Sequence, residues 1–331
     1  MAVHLSLLFK RVFGLQRPTA ALFLLLLLLT SCEKAEQIEL PWTELSSPTV
    51  HNLHGIHFVD AQTGFAAGGD TWYLGIQLHT TDGGASWQVD SLTDKALFGL
   101  HFTERDRGYS VGIENYFLHR DAQASDWAVK RVPGGSIYRD VAFFDQSGGI
   151  VVGGQAYQYG QLIRVDADFR AVQIDSFEHE LSGVAFADAQ TAVAVGYGIV
   201  LHSVDAGRTW QRLQLYGDFF RDVHFPSPQS GYIVGSSGSI LRTSDGGQSW
   251  QNLRDGDRLT VSDVPFRAVF FVDERKGYVV GEDGHFWRTL DGGDSWQRIK
   301  GFPNTDLYAV HVVDGIGYIV GANGRMFRFE D

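Results

Sequence analysis

Three sets of residues in this sequence have the types and spacing for chemistry. The stretch RTSDGGQSW, Arg242 to Trp250, gathers hydroxyls, the carboxylate of Asp245 and two glycines, as a small catalytic or phosphate-cradling loop would. Arg139, Arg221 and Arg267 each stand beside an apolar run, and Asp140 and Asp222 follow two of them. Grouped around one point, such arginines would hold a carboxylate or a peptide C-terminus through bidentate bonds. The third set is histidine. His57, His101, His224 and His311 recur between apolar residues, and His79, His119 and His202 recur further along.

All three sets follow a repeat. The opening motif returns as TTDGGASW (Thr80 to Trp87), SVDAGRTW (Ser203 to Trp210), TSDGGQSW (Thr243 to Trp250) and TLDGGDSW (Thr289 to Trp296). Worn copies are RDAQASDW (Arg120 to Trp127) and VDADFRAV (Val165 to Val172), the second without its tryptophan. A triplet of apolar residues, such as Leu53/Ile56/Phe58 or Phe266/Val269/Phe271, precedes each copy. Between triplet and motif lies a run ending in glycine, such as GYIVG (Gly231 to Gly235). Both patterns occur seven times in one fixed order. Four short strands in a repeat of about 40 residues predict one blade of a β-propeller.

The seventh repeat stops at RFED, where Asp331 aligns with Asp245 and the fourth strand is missing. WTEL, Trp42 to Leu45, matches WQNL (Trp250 to Leu253) and stands before the first triplet. The expected fold is therefore all-β: a single seven-bladed β-propeller of four-stranded antiparallel blades over 42–331. The N-terminal strand closes the last blade and removes the open edge.

Repetition also sorts the chemistry. Asp82, Asp205, Asp245 and Asp291 would accept backbone N–H bonds in a turn whose glycines take φ > 0. Trp87, Trp210, Trp250 and Trp296 would fill space between blades. Four copies of one turn are structural. The histidines follow the repeat into different blades, and zinc needs three or four ligands on one point, so no metal is expected. Arg139, Arg221 and Arg267, with Tyr308 and His54 at the equivalent positions, should lie at the central mouth opposite the aspartate turns. The alternative is Arg–Asp pairing between blades. Trp72 and Tyr73 in GDTWYLG, Tyr157 and Tyr159 in GQAYQYG, and Tyr116 and Tyr197 should sit on loops of the same face. The long link Arg254 to Pro265 should overhang it.

The first 31 residues are set apart. Lys10, Arg11 and Arg17 precede the apolar run Ala20 to Leu29, which is short for a membrane span. LTSC, Leu29 to Cys32, resembles the lipobox of bacterial lipoproteins, which implies cleavage before Cys32 and its lipidation. Cys32 is the only cysteine, so no intrachain disulfide can form. Glu33 to Pro41 reads as a polar tether. Losing the three signal cations takes the formal charge from −12 to −15, which argues against nucleic acid as a partner.

The motif is that of the Asp-box, or BNR, repeat. The order of triplet, GYxVG, strand and Asp box resembles the photosystem II stability/assembly factor-like propellers over about residues 42–331. That resemblance implies a noncatalytic, monomeric scaffold without cofactor at the bacterial cell envelope, facing the periplasm or outer-membrane surface, that binds a protein or peptide partner. The box also occurs in sialidases and xyloglucan hydrolases, and Arg139, Arg221, Arg267, Tyr308 and Asp222 loosely imitate a sialidase site. The chain lacks their R-I-P segment and has seven repeats where sialidases have six. The alternatives are thus a sialidase-like glycoside hydrolase, or a carbohydrate-binding propeller using Trp72, Tyr73, Tyr157 and Tyr159 as stacking platforms.

Overall fold

The triplet Leu53, Ile56 and Phe58 is buried along the strand Leu53–Phe58, and six more strands of the same pattern surround one axis. The computed structural model describes residues 35–330 except 105–106, 122–123, 125, 135–136, 216 and 257–263. Residues 1–31, expected to be a signal segment, Cys32 and Asp331 lie outside the described residues, as does most of the link expected to overhang the mouth.

Among the described residues there are seven sheets. The first five blades begin at Leu53, Leu97, Ile137, Leu181 and Phe220 and take their four strands in chain order. Blade six begins at Phe266 and blade seven at Leu307. Trp42–Leu45 completes blade seven, pairing antiparallel with Met326–Glu330 from Trp42↔Phe329 to Leu45↔Met326. The ring is closed as the seventh repeat requires.

The segment expected as a tether departs from that reading. Glu36–Ile38 adds a fifth strand to blade six, parallel to Gln297–Ile299, and Leu40 is buried between blades six and seven. Two well-placed apolar residues, Ile38 and Leu40, suffice to dock a segment whose charges stay outside.

Blades two, five and seven are each mortared to the next by the tyrosine of the second strand. Tyr318 stacks on Phe58 with ring centroids 3.6 Å apart, Tyr109 on Phe143 at 3.7 Å, and Tyr232 on Phe271 at 3.4 Å. The Tyr318 hydroxyl donates to the Gly83 carbonyl and that of Tyr232 to Gly292, both in the Asp box of the following blade. The glycines of GYxVG have steric causes. A Cβ on Gly231 would lie 2.5 Å from the Phe225 ring, and one on Gly196 would press into the Glu180 carbonyl oxygen.

The Asp boxes are closed hydrogen-bonding units. Asp82 accepts from the Ser86 N–H at 2.9 Å, the Ser86 hydroxyl at 2.6 Å and the Thr80 hydroxyl at 2.8 Å, while Gly84 N–H donates to Thr80 Oγ1. Asp205, Asp245 and Asp291 repeat the arrangement. The bonds from Ser86 and Thr80 hold the Asp82 carboxyl down at about 2. Gly83, Gly246 and Gly292 donate to Gln62, Gln229 and Arg275 in the turns between the first two strands, so both sets of turns share one face. In blade three, which lacks the tryptophan, Phe169 packs 5.7 Å from Tyr109 and 4.3 Å from His119.

Candidate functional site: the central mouth

Every innermost strand shifts register near its start, as between Tyr138 and Asp140, Phe220 and Asp222, or Phe266 and Ala268. A bulge re-aims the extra side chain. The seven re-aimed residues are His54, Phe98, Arg139, Ser182, Arg221, Arg267 and Tyr308, and all seven line one cavity of about 190 Å³. The arginines therefore sit in the strands, at the bulge, and converge on the mouth. This face is opposite the Asp boxes, because each innermost strand starts here and the Asp box follows the far end of the third strand.

The charges are unequally compensated. Arg139 donates to Glu180 at 3.0 Å, and Glu180 also accepts the Tyr157 N–H at 3.0 Å. Arg267 pairs with Glu282. Among the described residues Arg221 makes no ion pair: its Nε donates to Ser236 Oγ at 2.5 Å and its guanidinium stacks 3.7 Å over Phe219. Burial, then the neighbouring Arg267 and Arg139 guanidiniums, push Arg221 down to about 10. Glu180 acts on Arg221 only through its charge, while its direct bond goes to Arg139.

The Arg–Asp pairing considered from the sequence does not form. Asp140 accepts the N–H of Val141 at 2.8 Å and that of Val184, in the next blade, at 2.9 Å. Asp222 does the same with Val223 and Val269. Burial raises both carboxyls to about 7, with the nearby Asp222 charge adding to the effect on Asp140. Sequence reasoning had not found the real acidic partners, Glu180 and Glu282. They lie in the link before a first strand and in the turn after a second strand, outside the motif that marks the blades.

The aromatic side chains divide. Tyr157, Tyr197 and Phe219 form a group with centroids 5.3–5.6 Å apart, beside Arg221. Tyr157 has φ of +62°, a left-handed turn that lifts its ring out of the loop. Trp72 and Tyr73 project from blade one, with Tyr73 83% exposed, and Tyr159 is exposed near Ser176. Tyr116, expected on this surface, is instead buried, with Arg131 over its ring and its hydroxyl on Asp94.

Below the mouth a second cavity of about 330 Å³ continues along the axis and shares Asp140 and Asp222 with the first. His57, His101, His224 and His311 line it. His311 Nδ1 accepts the Phe58 N–H at 3.3 Å, His224 Nδ1 accepts that of Phe271 at 3.2 Å, and His101 Nε2 meets the Phe143 carbonyl at 2.8 Å. Each bond crosses to the next blade. Burial lowers all four, to about 4 for His101 and His224 and about 3 for His311, so the rings are neutral and three of them staple neighbouring blades. Among the described residues no cluster of three or more His, Cys, Asp or Glu is placed to hold a metal.

A family model described as "Photosynthesis system II assembly factor YCF48" matches residues 119–219 and 216–305, more than half of the chain. The chain belongs to this family. No curated protein matches it. Among solved structures, one described as "YCF48 bound to D1 peptide" is 17% identical, covers 90% of this chain and 98% of its own, and has a TM-score of 0.67. YCF48 from Cyanidioschyzon merolae is 16% identical, covers 87% and 98%, and has a TM-score of 0.64. At these identities the YCF48 structures share the fold.

Proposed function

We propose that this YCF48-family chain is a noncatalytic propeller, anchored at the bacterial cell envelope through a lipid on Cys32, that captures a protein or peptide partner at the central mouth as an assembly factor does. The observation that carries this reading is Arg221, a partly buried cation that makes no ion pair among the described residues, flanked by Arg139 and Arg267 and edged by Tyr157, Tyr197 and Phe219. A carboxylate from the partner, on an acidic side chain or a chain end, would complete it. The exposed rings would bury apolar neighbours of that carboxylate. The solved structure described as YCF48 bound to D1 peptide supports peptide binding as a use of this fold.

A hydrolase would need acids free to transfer protons at the mouth. Asp140 and Asp222 spend both oxygens on backbone N–H groups, one in their own strand and one in the next blade, which favours the noncatalytic reading. Exposed Trp72 and Tyr73 keep a sugar ligand as the second reading. Crosslinking at the native envelope tests the proposal. Arg221→Gln should lose the captured protein at least tenfold while its melting curve overlays the parent's. Undiminished capture, or sugar released from a glycan panel, would refute it.

A further inference from the structure

The N-terminal strand gives the propeller a direction. Glu36–Ile38 runs parallel to Gln297–Ile299, and that strand starts at the Asp-box turn of blade six and runs toward the mouth. Glu36 lies level with Gln297, whose amide donates to Glu36 Oε2 at 2.9 Å, and Ala35 packs in the cluster that contains Trp296. The chain therefore enters blade six from its Asp-box edge. Cys32 stands three positions before Ala35 in the sequence. Three residues reach at most about 10 Å, less than the roughly 17 Å spanned by a five-residue strand, so an anchor on Cys32 cannot be carried to the mouth face.

The same edge has a surface suited to lipid. Val272 and Leu290 are 47% and 46% exposed, and both belong to turns at the Asp-box end of blade six. Arg275 and Lys276 lie in the Val272 turn, which the Gly292 N–H ties to the Asp box through the Arg275 carbonyl. The acids here are held in bonds and keep their charge, so the surface suits zwitterionic rather than anionic headgroups. Asp273 accepts the N–H groups of Arg275 and Lys276, Glu274 accepts the Ser227 hydroxyl, Asp291 is held in its box, and Asp294 pairs with Arg242. Apolar tips beside basic side chains fit the zone between acyl chains and phosphate headgroups.

We infer that the Asp-box edge of blade six is the surface laid against the bilayer, and that the arginine mouth faces away from it. This rests on the anchoring reading above. It means that the captured partner approaches from the aqueous side.

The test uses the full-length chain, processed by a lipoprotein-producing host and placed in phosphatidylcholine vesicles carrying a spin-labelled quencher near the headgroups. Leu290→Cys reports from the proposed contact and Val50→Cys from the mouth face, each labelled with one fluorophore. Quenching at Leu290 should exceed that at Val50 at least threefold. Equal quenching, or more at Val50, with Cys32 diacylglyceryl-modified by mass spectrometry, overturns the orientation and leaves the anchor standing. Unmodified Cys32 overturns both.

Discussion

The two faces of the propeller use the same repeat in opposite ways. On the Asp-box face, equivalent positions carry nearly the same residues, and those residues bond to one another. Thr80, Asp82 and Ser86 recur as Thr243, Asp245 and Ser249, with each hydroxyl and carboxylate satisfied within its turn. At the mouth, the seven equivalent bulge positions carry His, Phe, Arg, Ser, Arg, Arg and Tyr. Of the three arginines, Arg221 alone makes no ion pair among the described residues. Positions that must close a turn converge on one chemistry, whereas positions freed by a bulge can diverge toward a ligand.

The largest expected break concerns what both faces depend on, the joints between blades. Tyr232→Ala removes the stack on Phe271 and the hydroxyl bonds to Glu274 and Gly292. It should cost about 3–5 kcal/mol by denaturant unfolding. A loss below 1 kcal/mol would show that the stack is not the mortar.

Acid should attack the axial channel next. The four histidines have folded values below their unfolded value of about 6.5, so their contribution is full above pH 6.5 and is lost as pH falls. Asp140 and Asp222, raised to about 7, act in the opposite sense, losing stability as pH rises through 7. Four groups against two leave a net fall of up to roughly 3 kcal/mol per pH unit between pH 6 and 5. Urea midpoints across that range check the sign; a midpoint that rises on acidification would contradict it.

Two arginines then sharpen the mouth itself. Arg139→Gln leaves the buried carboxylate of Glu180 without its cation and should destabilise by about 1–3 kcal/mol. Arg221→Gln relieves repulsion from Arg139 and Arg267 while losing one bond to Ser236, and should stay within about 0.5 kcal/mol of the parent. Calorimetric melting of both variants separates them. On the other face, Asp245→Ala should cost about 1 kcal/mol through the lost carboxylate bonds from Thr243 and Ser249 and leave partner capture unchanged, as paired melting and crosslinking would show.

The blade order was legible because turn chemistry leaves residues in the sequence. An aspartate that accepts from Thr243 and Ser249, and a glycine that abuts a phenylalanine ring, admit few substitutes. The latch was legible because Trp42 and Leu45 repeat a strand missing elsewhere. The bulges were not, since a one-residue slip such as that at Arg221 needs no particular side chain. Nor was Glu36–Ile38, three residues held by backbone pairing and Ile38. Glu180 escaped notice for a related reason: its role depends on Arg139 of another blade, 41 residues away.

The measurement that bears most directly on the division of labour is site-specific photocrosslinking in the native envelope. It compares a crosslinker at Tyr157, beside Arg221, with one at Gln248, in an Asp box. The account predicts a discrete protein adduct from Tyr157 that disappears with Arg221→Gln, and none from Gln248. A protein adduct from Gln248, or one from Tyr157 that survives Arg221→Gln, would contradict it.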